Sequence, residues 1–272
     1  SYKSSTGELI AWVNIMNLKA DEDTVLYMYY GNPENINAQI PKRAWDPYYT
    51  SVWHLKESQG QIHDSTERVS GGVISGAESV PGKIGSALEF LSKDIVYDIS
   101  STFDDVIKSE FTASCWVYWY GGQTNMDYYI FDGRDDSWDE AGFIVYLRNM
   151  NLVMHMSQPD SYKASNSIIP SNKWTYVSVV FDDDENEIRL YINDQLDSIH
   201  STSAVYRNSD HEPAMGNNHW APGDGAWRPV NGVIDELRIS KTARTTQWIL
   251  TEYYNQIDPL GFLSFGSEES SP

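Results

Sequence analysis

Apolar and polar residues alternate along most of this chain, and that period of two confines it to half-buried β-strands. In residues 111–120, Phe111, Ala113, Cys115 and Val117 form one apolar set, while Trp116, Tyr118 and Tyr120 fall on the other side. Phe143, Val145 and Leu147 alternate likewise with Tyr146 and Arg148, and Val177, Val179 and Phe181 with Trp174 and Tyr176. Successive strand side chains point to opposite faces, so the apolar sets are expected in the core and the aromatic sets outside it. The clearest strands are predicted over 111–120, 128–131, 142–148, 152–156, 174–181 and 187–193. Residues 149–151 and 182–186 read as turns between them. The acidic run 182–186 has the look of a metal loop, but a solvated hairpin turn is the commoner form of such a run.

A chain of 272 residues is the size of one large sandwich with a small attachment, and it buries a full core without staples. Lys and Arg total 19 against 39 Asp and Glu, a net charge of −20. Nucleic acid and anionic membranes repel that charge, which removes nucleic acid from the partner list. The single Cys115 excludes an internal disulfide, and its strand context predicts a small buried residue. No run approaches the roughly 20 apolar residues of a membrane span, so membrane insertion is not expected.

Beyond the alternating centre, residues 9–15 and 24–30 are predicted strands, the second stopped by Gly31-Asn32-Pro33. A polar connector with Pro41 and Pro47 follows, and the main domain is expected to begin near Ser51. Residues 242–256 form the one predicted helix, with Thr245 or Thr246 as cap and Trp248, Ile249 and Tyr253 at helical spacing. Residues 261–266 read as a short terminal strand. Strands 9–15 and 24–30 are too few to fold alone. They are expected to form a small accessory sheet with the terminal strand, leaving an edge for another polypeptide.

Several segments occur in an informative order. Ser51-Val-Trp-His-Leu-Lys-Glu57 is followed by Asp64-Ser-Thr, Gly71-Gly72 and Pro81-Gly-Lys-Ile-Gly-Ser-Ala-Leu-Glu-Phe90. Phe111-Thr-Ala-Ser-Cys-Trp-Val117, Lys173-Trp-Thr-Tyr-Val177, Leu190-Tyr-Ile-Asn193 and Val233-Ile-Asp-Glu-Leu-Arg-Ile-Ser-Lys-Thr-Ala-Arg244 complete the series. In this order they resemble the laminin-G-like, concanavalin A-like jelly roll, with Asp194 where that family's hairpin usually has Gly. The resemblance implies an all-β, two-sheet antiparallel jelly-roll sandwich over 51–245, whose chain entry and exit lie side by side. It also implies binding rather than catalysis, and an extracellular or cell-surface location. Residues 246–272 would hold the helix end, terminal strand and tail. Residues 1–50, with Thr6-Gly-Glu-Leu-Ile-Ala-Trp-Val13 and Asp23-Thr-Val-Leu-Tyr-Met-Tyr-Tyr-Gly-Asn32, resemble the end of an uncharacterised domain of archaeal and bacterial surface proteins. That likeness implies further domains or chains of a longer parent protein as neighbours.

In jelly rolls of this kind a structural calcium ion ties the first loop to the last strand. The matching positions are Glu57, Asp64 and Asp235, with backbone carbonyls near Ser70 and Gly71. Calcium takes six to eight oxygens, and a carboxylate after Val233-Ile234 in a strand is costly unless neutralised. Arg238, Lys83 or simple exposure would answer that cost equally well.

Ten Trp and 18 Tyr exceed ordinary usage. Sugar rings stack their C–H faces on aromatic planes, and their hydroxyls need Asn, Asp, Arg or His nearby. The outward set is therefore the candidate ligand face: Trp116, Tyr118, Tyr146, Arg148 and Trp174, with His155 beside them. Two long polar-aromatic loops, 132–140 with Trp138 and 217–227 with Trp220 and Trp227, are expected at its rim. Catalytic patterns are scarce. Asp235 and Glu236 are adjacent and expected on opposite strand faces, and no closely spaced carboxylate run marks a retaining glucanase. His155 near Tyr146 and Arg148 is the one lyase candidate. The expected function is a calcium-stabilised, non-catalytic module binding a glycan or surface protein. Its rivals are an assembly subunit of a surface filament or layer, and a polysaccharide hydrolase or lyase.

Overall fold

The computed structural model describes residues 2–19, 21–31, 41–99, 109–134, 141–156, 161–207, 209, 212–218 and 227–268. Two antiparallel sheets account for most of it. The larger runs β15 (Gln195–Ser201), β14 (Glu187–Ile192), β13 (Trp174–Asp182), β8 (Phe111–Trp119), β17 (Gly232–Ser240), β6 (Ser86–Phe90) and β5 (Glu78–Pro81). Its eighth strand, β3 (Tyr49–Trp53), pairs with the second half of β17. First and last strands of the sandwich are thus neighbours, as the resemblance implied. The seven-stranded sheet runs β12 (Ser161–Ile168), β11 (Asn151–Met156), β10 (Phe143–Arg148), β9 (Asp127–Asp132), β16 (Ala214–Met215), β7 (Ile95–Tyr97) and β4 (Val73–Ser75).

The period of two sorts the side chains. Phe111, Ala113, Cys115, Val117, Val145, Leu147, Val177, Val179 and Phe181 all lie in the core between the sheets. Trp116, Tyr118, Tyr146 and Trp174 lie outside it. Turn residues account for the tight connections. Asn149 and Met150 both hold positive φ (52° and 72°), the geometry that joins two twisted strands in two residues. The acidic run after β13 is the expected hairpin turn, in which Asp182 pairs with Arg189 at 2.7 Å.

The ends differ from expectation. The accessory sheet is a two-stranded ribbon, β1 (Tyr2–Lys3) on β2 (Glu8–Leu9), drawn from the N-terminal side alone. Residues 10–15 and 24–30 are not strands, and 25–30 are exposed. Strand propensity needs a second strand to complete a ladder, and residues 11–15 and 24–30 join no ladder among the described residues. Residues 261–266 are not a strand either. Asp258 accepts from the Gly261 N–H, and Pro259 pre-sets a short helix, Pro259–Phe262. The expected helix, α1 (Thr246–Ile257), starts later than 242, capped by Thr245 at the Trp248 N–H.

Candidate functional site

The outward aromatics divide between two opposite faces, because β8 and β13 belong to one sheet and β10 and β11 to the other. The single ligand face expected from parity is therefore corrected: Trp116, Tyr118 and Trp174 look out from the eight-stranded sheet, Tyr146, Arg148 and His155 from the seven-stranded one. Alternation reports inside or outside, but not which sheet a strand joins.

On the eight-stranded sheet, cross-strand pairs build rows. Asp235, Trp116 and Tyr176 form one row, and Arg238, Ser114, Ser178 and Tyr191 the next. Helix α1 packs on both. Ile249 and Tyr253 join Trp116, Tyr176 and Tyr191, and the Trp116 Nε1–H donates to Gln256 Oε1 at 2.7 Å. Trp116 is thus fully buried and cannot stack on a ligand. It is the anchor of the helix.

Beside the helix lies a buried ionic network. A bulge between Asp235 and Arg238, with Glu236 at φ 53°, inserts one extra residue. Leu237 still reaches the core, while Asp235 and Glu236 both stay outside it. The expected opposite-face arrangement of this pair is therefore corrected. Glu236 meets His54 Nδ1 at 2.7 Å and Arg238 at 2.9 Å, and Arg238 also pairs with Glu252 of α1. Trp12 stacks on His54 (5.5 Å, 11°) and lies 4.5 Å from the Arg238 guanidinium. Burial raises the Glu236 carboxyl, but His54 and Arg238 outweigh it and hold the group below its ordinary range. Asp235 goes the other way. Burial first, then the Glu236 charge, push it up to about 8 against the Ile84 N–H donating to Oδ2.

The calcium positions separate as well. Asp64 is a hydrogen-bond hub: it accepts from the N–H groups of Val52 (2.8 Å), Thr66 (3.0 Å), Arg68 (3.0 Å) and Val69 (3.0 Å), and from the Thr66 hydroxyl (2.6 Å). These donors tie the 64–69 turn to β3 through both carboxylate oxygens. Glu57 Oε2 and Asp235 Oδ1 are buried oxygens without a hydrogen-bond partner. Ser70 is exposed, and Gly71 lies where a Cβ would meet the Ile62 carbonyl at 1.5 Å. Among the described residues, no three His, Cys, Asp or Glu side chains form a group able to hold a metal. The side chains of Glu57, Asp64 and Asp235 thus form no such group.

The outer face of the seven-stranded sheet has a different chemistry. Its rows read Asp132, Ile144, His155 and Tyr162; then Tyr129, Tyr146, Val153 and Ala164; then Asp127, Arg148 and Asn151. A bulge at Ile130 keeps Tyr128, Ile130 and Phe131 in the core and turns Tyr129 outward. Arg134 grips Asp132 through two 2.8 Å hydrogen bonds and lies over Tyr129 at 5.3 Å. Arg148 pairs with Asp127 at 2.7 Å and lies 5.9 Å from the Tyr162 ring. Arg228 enters from the following segment, where its carbonyl accepts the Tyr129 N–H. Burial raises the Asp127 carboxyl, opposed by the charges of Arg148, Arg228, Arg134 and His155. Burial also keeps the tyrosine hydroxyls protonated, with Tyr129 pushed up to about 12 and Tyr146 higher still. The groups this face leaves accessible are the Arg148 guanidinium and the Tyr162 ring. Tyr146 and His155 form its buried floor (3% and 9% exposed), and Tyr162, at 44%, its open ring.

Of the rim residues, Trp227 is partly buried, 5.7 Å from the Lys93 ammonium. Trp138 and Trp220 fall outside the described residues. Sequence reasoning missed Tyr129, Asp127, Tyr162 and Arg228. The bulge at Ile130 hides the first from alternation, and the others needed strand register.

The sequence also matches a known family. The family model of the concanavalin A-like lectin/glucanases superfamily matches residues 97–250. The chain belongs to that superfamily. No curated protein sequence matches it. Among solved structures of this fold, domain 4 of AbnA, a GH43 extracellular arabinanase from Geobacillus stearothermophilus in complex with arabinotriose, superposes with a TM-score of 0.58 at 19% identity, over 76% of this chain and 98% of that one. The binding domain of Paraclostridial Mosquitocidal Protein 1 gives 0.56 at 16%, over 76% of this chain and 52% of that one. A botulinum neurotoxin type C structure, whose cell entry depends on two ganglioside molecules, gives 0.59 at 14%, over 77% and 51%. This superfamily member thus spans nearly all of the arabinanase domain and about half of each toxin chain.

Proposed function

We propose that this chain is a non-catalytic, extracellular carbohydrate-binding module whose ligand lies on the outer face of the seven-stranded sheet. One observation carries the reading. Arg148, held by Asp127, and the Tyr162 ring are the accessible groups of this face and lie 5.9 Å apart, whereas Tyr129, Tyr146 and His155 are buried. No described helix packs on this cluster, whereas α1 covers the opposite face. Sugar hydroxyls need donors and acceptors at fixed positions, and each charge-assisted hydrogen bond is worth about 1.5–3 kcal/mol. The arabinotriose complex and the ganglioside-dependent toxin of the same fold support a glycan as the ligand class.

Hydrolysis fits less well. Glycosidases use two carboxyl groups in complementary states, and both carboxylates here, Asp127 and Asp132, are held in arginine pairs. A glycan array followed by titration calorimetry tests the proposal. Arg148→Ala and Tyr162→Ala should each weaken the best ligand by about tenfold, roughly 1.4 kcal/mol, with melting unchanged. Wild-type affinity in both variants would remove the site.

A second reading, an assembly subunit joined to other domains or chains, is favoured by the exposed run Val25, Leu26, Tyr27, Met28, Tyr29 and Tyr30. Light scattering decides it: a concentration-dependent oligomer abolished by Leu26→Ser and Met28→Ser supports assembly, and a monomer at all concentrations removes it.

A further inference from the structure

The eight-stranded sheet leaves one row of its outer face beyond the helix. That row runs Glu89 on β6, Val233 on β17, Tyr118 on β8 and Trp174 on β13. Helix α1 covers the next row through Tyr253 on Trp116 (5.7 Å, 28°) and ends at Ile257, where Asp258 and Pro259 stop it. Tyr118 and Trp174 are consequently only partly buried, and Tyr120 is exposed. We propose that Tyr118, Trp174 and Tyr120 form a second carbohydrate subsite, which stacks one uncharged sugar ring, so that the module holds glycan on two opposite faces.

Ring geometry supports this occupant. Tyr118 meets Trp174 edge-on (5.5 Å, 67°) and Tyr120 edge-on (5.7 Å, 74°). The three rings make a stepped shelf and not one flat plane. A saccharide ring fits such a step: one C–H face lies on an indole or phenol plane, and its edge meets the upright ring. Hydroxyl partners of both kinds stand at the rim. The Glu89 carboxylate already accepts the Tyr120 hydroxyl, and the Asp194 carboxylate accepts that of Tyr254 at 2.9 Å. On the other side the Lys83 ammonium lies 5.0 Å from the Trp116 ring centre.

Charge selects among sugars. Two rim carboxylates on a chain of net charge −20 repel a sialylated or uronic ligand. An uncharged unit of a pentose or hexose chain is the ligand class this shelf accepts. The proposal shares glycan chemistry with the proposed function but none of its residues, so the two stand or fall separately.

The indole N–H of Trp174 reports the shelf directly. The full chain, labelled with nitrogen-15, is titrated with arabinotriose, xylotetraose, cellotetraose and sialyllactose, with the Trp174 peak assigned from Trp174→Phe. A saturable shift with at least one uncharged sugar, none with sialyllactose, and the same shift in Arg148→Ala are the expected results. Tyr118→Ala should then weaken that response by at least about fivefold. A Trp174 peak unmoved by every uncharged sugar, or moved only by sialyllactose, overturns the second subsite. If the Trp174 shift disappears in Arg148→Ala, the shelf is not independent, and the inference falls while the proposed function stands.

Discussion

Replacing Asp64 with alanine removes the acceptor for five donors at once, and its cost can be worked from the geometry. Two of the five have alternatives. The Thr66 hydroxyl lies 3.2 Å from the Thr50 carbonyl, and the Arg68 N–H lies 3.3 Å from the Thr66 hydroxyl oxygen. Three backbone N–H groups do not, those of Val52, Thr66 and Val69, and all three residues are buried. A buried donor left without an acceptor costs about 1–3 kcal/mol. Partial entry of water into the space left by the carboxylate brings the total near the lower half of that sum, about 4 kcal/mol. In a domain of this size the loss lowers the melting temperature by about 8–16 °C. Val52 and Trp53 sit in β3 against β17, so the damage reaches the joint between first and last strands. Urea melts of parent and variant, each with and without a chelator, give the measurement. The expected outcome is the same loss in both media, because the hub is filled by backbone donors. A loss below about 1 kcal/mol would refute the hub. A loss that disappears in chelator would refute it differently, by showing that the carboxylate works through calcium.

Asp235 predicts a pH slope. Its folded value of about 8 lies above the ordinary 3.8, so the native state binds the extra proton and the contribution is full below about pH 4 and lost as pH rises to about 8. Asp235→Asn should flatten that slope and melt higher than the parent at pH 8, by an amount on the order of a few kcal/mol at about 1.4 per unit; parallel melting curves from pH 4 to 9 would refute it. Trp12→Ala strips the ring that stacks on His54 and Arg238, and should cost about 1–3 kcal/mol while exposing the α1 amides near Glu252 to hydrogen exchange. Unchanged protection there would show that the N-terminal segment is not part of the network.

Much of this fold was legible in the residues. Alternation placed Cys115, Val145 and Val179 in the core and Trp116, Tyr146 and Trp174 outside it, because an extended backbone leaves each side chain only two directions. Turn chemistry marked the hairpins at Asn149 and Asp182 for an equally local reason. The ends were less legible. Residues 24–30 have the composition of a strand, yet a strand exists only when a second one supplies its hydrogen bonds.

The site depended on contacts the chain makes with itself across long separations. Sequence alone determined that the chain is a two-layer β-sandwich, which residues face its interior, and that its surface is rich in aromatic and acidic groups. Tertiary structure alone decided that the outward aromatics belong to two opposite sheets, that helix α1 seals Trp116, and that Asp127, Tyr129, Arg148 and Tyr162 meet on one face. It also decided that Asp64 ties its own turn to β3, and that a bulge at Glu236 puts two neighbouring carboxylates outside the core together. The physical reason is range. Side-chain direction and turn geometry are settled within a few residues by backbone sterics, whereas sheet membership, register and coverage are settled by pairing between segments tens to hundreds of residues apart.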